Sequence, residues 1–175
     1  MTTIQQYRYY DDNAVPARAK ITGAYINSAL AKTEAFHKGF DEAILLNPDG
    51  HVSEGSAMNL FIVRNGRLIT PAVNHNILEG VTRRAVMQIA FEEMGIPTDE
   101  RTIDRTELYV CDEMFLCGTG AQIAPVLSVD LRDVGGTGKI GPITERLMGI
   151  YGRAVRGQYH RFREWLTPVY GAAAR

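Results

Sequence analysis

The stretch AILLNPDGHVSEGSAMNLFIVRNGRLIT, residues 43–70, decides the fold class. Ala43-Ile44-Leu45-Leu46 is a short apolar strand, and Asn47-Pro48-Asp49-Gly50 is a run of turn residues. His51-Val52-Ser53 reads as the returning strand. Asn59-Leu60-Phe61-Ile62-Val63 is a second apolar strand, Asn65-Gly66 a hairpin turn, and Arg67-Leu68-Ile69-Thr70 its return. Two hairpins in succession make this part of the chain a sheet.

Outward from it the pattern changes to helical spacing. Upstream, residues 24–38 place Tyr25, Ile26, Ala29, Leu30 and Thr33 on one face, with Gly39 as a stop. Downstream, residues 81–94 put Val81, Ala85, Val86, Ile89, Ala90 and Met94 on one face, ended by Gly95 and Pro97. Asp104 and Glu107 are spaced as a capping box for a short helix to about Val110. Glu113–Cys117 and Ala124–Val129 read as strands, and Gly135–Gly138 as a turn. A last helix runs from about Pro142 to Val155, with Ile143, Leu147, Ile150 and Ala154 inward. Strands grouped together with helices between the groups predict a mixed α/β (α+β) domain rather than a doubly wound one. Residues 1–19 are polar and end in Val15-Pro16-Ala17-Arg18-Ala19. Residues 1–15 are expected to be an extended lead-in, and one domain is expected over 16–175.

Composition removes several function classes. The net charge of −1 gives no reason to expect nucleic acid or an anionic membrane as partner. No apolar run approaches the length of a membrane span, and MTTIQQYRYYDDN is not a secretory signal, so a cytoplasmic protein is expected. Cys111 and Cys117 form neither a disulfide framework nor half of a zinc site, and Cys117 reads as buried packing. His37, His51, His75 and His160 have no metal-ligand spacing, and no metal is expected.

Four local features could carry chemistry. Lys20 sits among alanine, isoleucine and glycine, a setting that could desolvate an amine and make it nucleophilic toward carbonyls. Read alone, it is better taken as a surface lysine before a helix. Glu54 follows a strand and precedes small residues that would let a flat ligand approach, and a carboxylate there could hold a pyridinium N–H. Alone, it is better taken as part of a polar turn. Leu78, Val81 and Thr82 surround the start of the strongest helix, where backbone N–H groups and a hydroxyl suit a phosphate. N-capping by Thr82 accounts for the same pattern equally well. Gly118-Thr119-Gly120 follows a strand and could form an anion-binding nest, or simply connect two strands.

Together, AKITGAYINSALAKTEA, GFDEAILLNPDGHVSEGSAMNLFIV, LITP, ILEGVTRRAV, ELYVCDEMFLCGTGAQIAPV and GPITERL resemble, in order, the class IV aminotransferases. These are the fold-type IV pyridoxal-phosphate enzymes, and the resemblance is nearest to the branched-chain amino acid aminotransferases. It implies the pseudo-barrel domain of that fold and pyridoxal 5'-phosphate as cofactor. It implies that Lys20 forms the Schiff base and shuttles the proton between the substrate Cα and the cofactor C4′. Glu54 would pair with the pyridine nitrogen, and Tyr25 would meet the phenolate oxygen. Leu78, Val81, Thr82 and Thr119 would form the phosphate cradle. Gly118, Thr119 and Gly120 would form the turn that also approaches the substrate carboxylate. Gly120 stands where some relatives have alanine, and Met58 where many have glutamate.

The resemblance also implies amino acid and 2-oxo acid substrates: leucine, isoleucine or valine, with 2-oxoglutarate. It implies a homo-oligomer, a dimer or higher. In the family a further domain precedes the lysine segment and supplies an arginine to the phosphate, yet here Lys20 follows 19 residues. The roles of that domain do not transfer to Arg8, Arg18 or Tyr7, and weak or no turnover is expected of the chain alone. A D-amino acid aminotransferase and an aminodeoxychorismate lyase are the rival enzymes. A non-catalytic fragment or assembly module is the rival from another class.

Overall fold

The computed structural model describes residues 1–170. Residues 171–175 of the expected domain lie outside the described ones. The strands are β1 (Thr2–Arg8), β2 (Glu42–Leu46), β3 (Val52–Gly55), β4 (Asn59–Arg64), β5 (Arg67–Thr70), β6 (Thr98–Glu100), β7 (Glu113–Gly118), β8 (Gln122–Pro125), β9 (Ser128–Val129) and β10 (Arg132–Asp133). The α-helices are α1 (Tyr25–His37), α2 (Val81–Met94) and α3 (Pro142–Ala154). One sheet has the order β10-β9-β1-β2-β3 and the other β6-β5-β4-β7-β8. This is the mixed α/β architecture expected.

The uninterrupted apolar runs of β2 and β4 follow from burial on both faces. Ile44 and Leu46 of β2 meet Leu60 and Ile62 of β4 in the core between the sheets. Ala43 and Leu45 point the other way, to Ala31 and Ala35 of α1. Phe61 and Val63 point away from the inter-sheet core toward Val86 and Ile89 of α2 and Leu147 and Ile150 of α3. Phe61 stacks on Phe115 of β7 with ring centroids 5.0 Å apart. The layers therefore run helix, sheet, sheet, helices. A one-residue slip in β4 would exchange its two apolar faces.

One hairpin turn, the end of α2 and one capping box agree with the sequence reading. Asn65 and Gly66 both have positive φ, 52° and 72°, as a two-residue hairpin of this hand requires. Gly95 ends α2 in the left-handed conformation. The Asp104–Glu107 capping box is formed at the head of a short 3-10 helix, Arg105–Tyr109.

Four details differ. The segment read as an extended lead-in contains β1, which pairs in parallel with β2. Its polar residues are buried because they are bonded: Thr2 Oγ1 donates to Ser128 O at 3.0 Å and Thr3 Oγ1 to Asp130 Oδ1 at 2.6 Å. α1 turns the opposite face inward. It buries Ser28, Ala31 and Ala35, whose small side chains let it lie close on the sheet, and it leaves Ile26 and Leu30 exposed. In α2, Val81 of the expected apolar face is exposed, whereas Arg83, which is not on that face, is buried with Nη2 on Pro71 O and Glu100 Oε2. The strand expected over 124–129 divides into β8 and β9, which belong to different sheets.

Sheet pairing sets one edge for the site. β4 and β7 are antiparallel with Asn59 opposite Cys117, so the head of β4 and the tail of β7 lie side by side. The loop from β3 to β4 closes tightly there, with Gly55 N–H on Met58 O at 2.8 Å.

Candidate active site

Glu54 lies at the end of β3 and is 5% exposed. The chain after it is anchored by the buried carboxylate of Glu42, which accepts from Ser56 N–H at 3.3 Å and pairs with Lys32 at 2.9 Å. Three donors hold the Glu54 carboxylate. Tyr9 O–H donates to Oε1 at 2.9 Å. Asn59 Nδ2 donates to Oε2 at 2.9 Å and Leu78 N–H to the same oxygen at 3.1 Å. Burial pushes the carboxyl up to about 8 against the Tyr9 and Leu78 hydrogen bonds and the Lys20 and Arg83 charges. Burial likewise pushes the Tyr9 phenol above the ordinary range, and the neighbouring Glu54 charge adds to it.

Lys20 sits in a left-handed backbone conformation, φ 51°, at the end of a 3-10 turn, Ala17–Ala19. A non-glycine residue there stores local strain, a feature that gathers at functional sites. Its Nζ donates to Tyr25 O–H at 3.0 Å. The apolar flanks do not desolvate it as expected: Lys20, Ala19 and Ile21 are all exposed, because the segment crosses the surface between β1 and α1.

The N-cap of α2 is Gly80, with no side-chain cap. Thr82 does not cap the helix. It lies inside the first turn, buried, with Oγ1 3.4 Å from the Tyr151 hydroxyl. The first turn therefore keeps N–H groups that a side chain has not satisfied. A β-carbon on Gly80 would lie 2.2 Å from Asn59 Oδ1, so glycine is what allows Asn59 to reach Glu54. At the other wall, a β-carbon on Gly118 would make only ordinary contact with Ala57 O and Met58 Cγ, both 3.5 Å away.

Lys20, Tyr25, Glu54, Leu78, Val81, Thr82, Gly118, Thr119 and Gly120 all line one cleft of about 580 Å³. Met58 and Asn59 line it too, and Met58 also packs against the inter-sheet core. Cys117 forms part of the wall; burial raises its thiol to about 12, which suits packing rather than chemistry. A second groove of about 390 Å³, between α2 and α3, shares Val81 and Thr82 but has no carboxylate.

Sequence reasoning missed Tyr9, Asn59 and Gly80. Asn59, a polar residue heading an apolar strand, carried a readable signal. Tyr9, 45 positions from Glu54, carried none. Among the described residues no group of three or more His, Cys, Asp or Glu could hold a metal ion, and no helix is long and apolar enough to cross a membrane.

The profile of the family described as amino-transferase class IV matches residues 2–129. The chain belongs to the class IV aminotransferases. A protein of Aquifex aeolicus named as a probable branched-chain-amino-acid aminotransferase is 53% identical over 167 residues, which are 95% of this chain and 53% of that protein. The branched-chain amino acid aminotransferase of Thermobaculum terrenum, solved in its PLP form, superposes with a TM-score of 0.93 at 43% identity, over 97% of this chain and 55% of that one. The branched-chain aminotransferase of the archaeon Thermoproteus uzoniensis, solved with norvaline, gives 0.91 at 44% identity, over the same shares. The chain thus spans about half the length of these class IV relatives, and shares with them the mixed two-sheet fold.

Proposed function

We propose that the cleft holds pyridoxal 5'-phosphate on Lys20, and that the protein transfers amino groups between branched-chain L-amino acids and 2-oxoglutarate. The observation that carries this is Glu54. It is a buried carboxylate with three neutral donors and, among the described residues, no cationic hydrogen-bond partner. Such a group favours a cationic N–H in the adjoining cleft, and a protonated pyridine ring supplies one.

The remaining walls fit the rest of that cofactor. The uncapped first turn at Val81 and Thr82 suits a phosphate by its N–H groups and dipole, with the Thr82 and Thr119 hydroxyls and Leu78 beside it. Tyr25 O–H, already bonded to Lys20 Nζ, suits the phenolate oxygen. When bound, the cofactor supplies an electron sink for the pair left at the substrate Cα.

The chain's own groups do the rest. Lys20 Nζ would hold the cofactor at its aldehyde carbon, and as a free amine it would carry the proton from the substrate Cα to that carbon. Tyr25 orients the amine. Glu54 keeps the ring nitrogen protonated. Gly118 and Gly120 leave backbone uncovered for a substrate carboxylate at the cleft mouth. The relatives named for branched-chain amino acids support the choice of substrate. With Lys20 and the Thr119–Gly120 turn exposed, water reaches the site, and turnover by the chain alone is expected to be far below that of a full-length relative.

Glutamate formation from leucine and 2-oxoglutarate, compared with D-alanine as donor and with Lys20→Ala, tests this reading. A slow, leucine-selective, Lys20-dependent rate is expected. A preference for D-alanine, or a rate no higher than that of the Lys20→Ala chain, would overturn it.

A further inference from the structure

The two oxygens of Glu54 are not equivalent. Oε2 accepts two N–H donors, from Asn59 and Leu78, which fill its two in-plane lone pairs. Oε1 accepts only the Tyr9 hydroxyl, at 2.9 Å, and keeps one lone pair open. Tyr9 is itself fixed. It follows β1 directly, its N–H donates to Leu46 O at 2.8 Å, and its ring meets Tyr10 edge-on with centroids 5.5 Å apart. Nothing in the family motifs quoted above includes Tyr9.

We infer that Tyr9 is a positioning residue: its hydroxyl and the ring nitrogen of bound pyridoxal phosphate share Glu54 Oε1, so that Tyr9 fixes the plane of the carboxylate and keeps the shared proton on the nitrogen. This inference rests on the cofactor reading above. A carboxylate stabilised by a fixed donor is a weaker base, and the proton between it and a pyridine nitrogen then lies nearer the nitrogen. A protonated nitrogen is the stronger electron sink.

The other groups facing Glu54 are accounted for. Lys20 and Arg83 favour its ionised form through space, from the segment before α1 and from α2. Cys117, on β7, keeps its proton because burial raises the thiol. Burial itself opposes ionisation most strongly, and the Tyr9 hydrogen bond is the largest influence acting against it. Tyr9 is also the one donor of the chain on Oε1, so removing its hydroxyl leaves that oxygen without a hydrogen bond from the described residues.

The test begins on the cofactor-free chain. Infrared difference spectra against Glu54→Gln identify the protonated carboxyl band of Glu54, and its midpoint is followed with pH. Tyr9→Phe keeps the ring and removes only the hydroxyl; it is expected to raise the proton affinity of Glu54 at least about tenfold. 3-Fluorotyrosine at position 9, a stronger donor of the same shape, is expected to lower it. Shifts of opposite sign cannot come from partial misfolding. An unchanged midpoint in both, or shifts of the same sign, would overturn the inference.

The second readout uses the chain loaded with ring-15N pyridoxal phosphate. Tyr9→Phe is expected to move the nitrogen resonance toward that of neutral pyridine, and an unchanged resonance would overturn the sharing of Oε1. Failure of the cofactor reading shows separately, as absence of Lys20-dependent cofactor binding in the unsubstituted chain.

Discussion

Asn59 Oδ1 occupies the space that a β-carbon of residue 80 would need, 2.2 Å from where that atom would sit. Asn59 uses its Nδ2 to bond both Glu54 Oε2 and Leu78 O, so the strand head, the carboxylate and the approach to α2 form one unit. Gly80→Ala is expected to drive Asn59 out of this position. The overpacking should cost about 1–3 kcal/mol of stability, read as a lowered denaturation midpoint. Cofactor affinity should fall at the same time, because Glu54 loses a donor. A Gly80→Ala chain with unaltered stability and affinity would show that Asn59 has other room.

Glu54 predicts a pH dependence of stability. Its carboxyl is raised from 4.5 to about 8 in the folded chain, so the folded state binds the proton more tightly than the unfolded state. The contribution is fully present below pH 4.5 and is lost as pH rises through about 8. Over that window the slope reaches at most about 1.4 kcal/mol per pH unit. Denaturant titrations of the cofactor-free chain at several pH values should show stability falling as pH rises, and Glu54→Gln should flatten the curve. Equal slopes for both chains would contradict the burial assigned to Glu54.

Away from the cleft, Glu113 acts as the cap of α3 from a neighbouring strand. Its Oε1 accepts from Ile143 N–H at 3.0 Å and its Oε2 from Thr144 N–H at 2.7 Å. Gly141 leaves the passage for that side chain, since a β-carbon there would lie 2.1 Å from Glu113 Cδ. Glu113→Ala should destabilise the chain by about 1–2 kcal/mol, measured by denaturant unfolding. Glu113→Gln, which keeps one acceptor, should lose less. A loss as large for glutamine as for alanine would argue against the capping role.

What the sequence made legible was what short-range physics decides. The Asn65-Gly66 turn, the ends of α2 and the Asp104–Glu107 cap depend on neighbours a few positions apart. The cleft-lining residues were legible only as a set, since Lys20 and Glu54 each had an ordinary local explanation. The inward face of α1 was not legible. Its Ile26-Leu30 stripe has the spacing of a buried face, but the sheet beneath accepts Ser28, Ala31 and Ala35. Nor was β1, where Thr2, Thr3 and Gln5 read as solvated until Ser128 and Asp130 are brought beside them. Tyr9 was hidden for the same reason. Its partner lies on another strand, and no periodicity records that pairing.

The central claim is that Lys20 carries the cofactor in this cleft, and trapping it chemically is the most direct measurement. The chain is incubated with pyridoxal phosphate, reduced with borohydride, digested, and its peptides weighed by mass spectrometry. The account predicts a phosphopyridoxyl mass increment on the peptide containing Lys20, reduced by competing inorganic phosphate and absent from the Lys20→Ala chain. An increment spread over Lys32, Lys38 and Lys139, or none on Lys20, would contradict it.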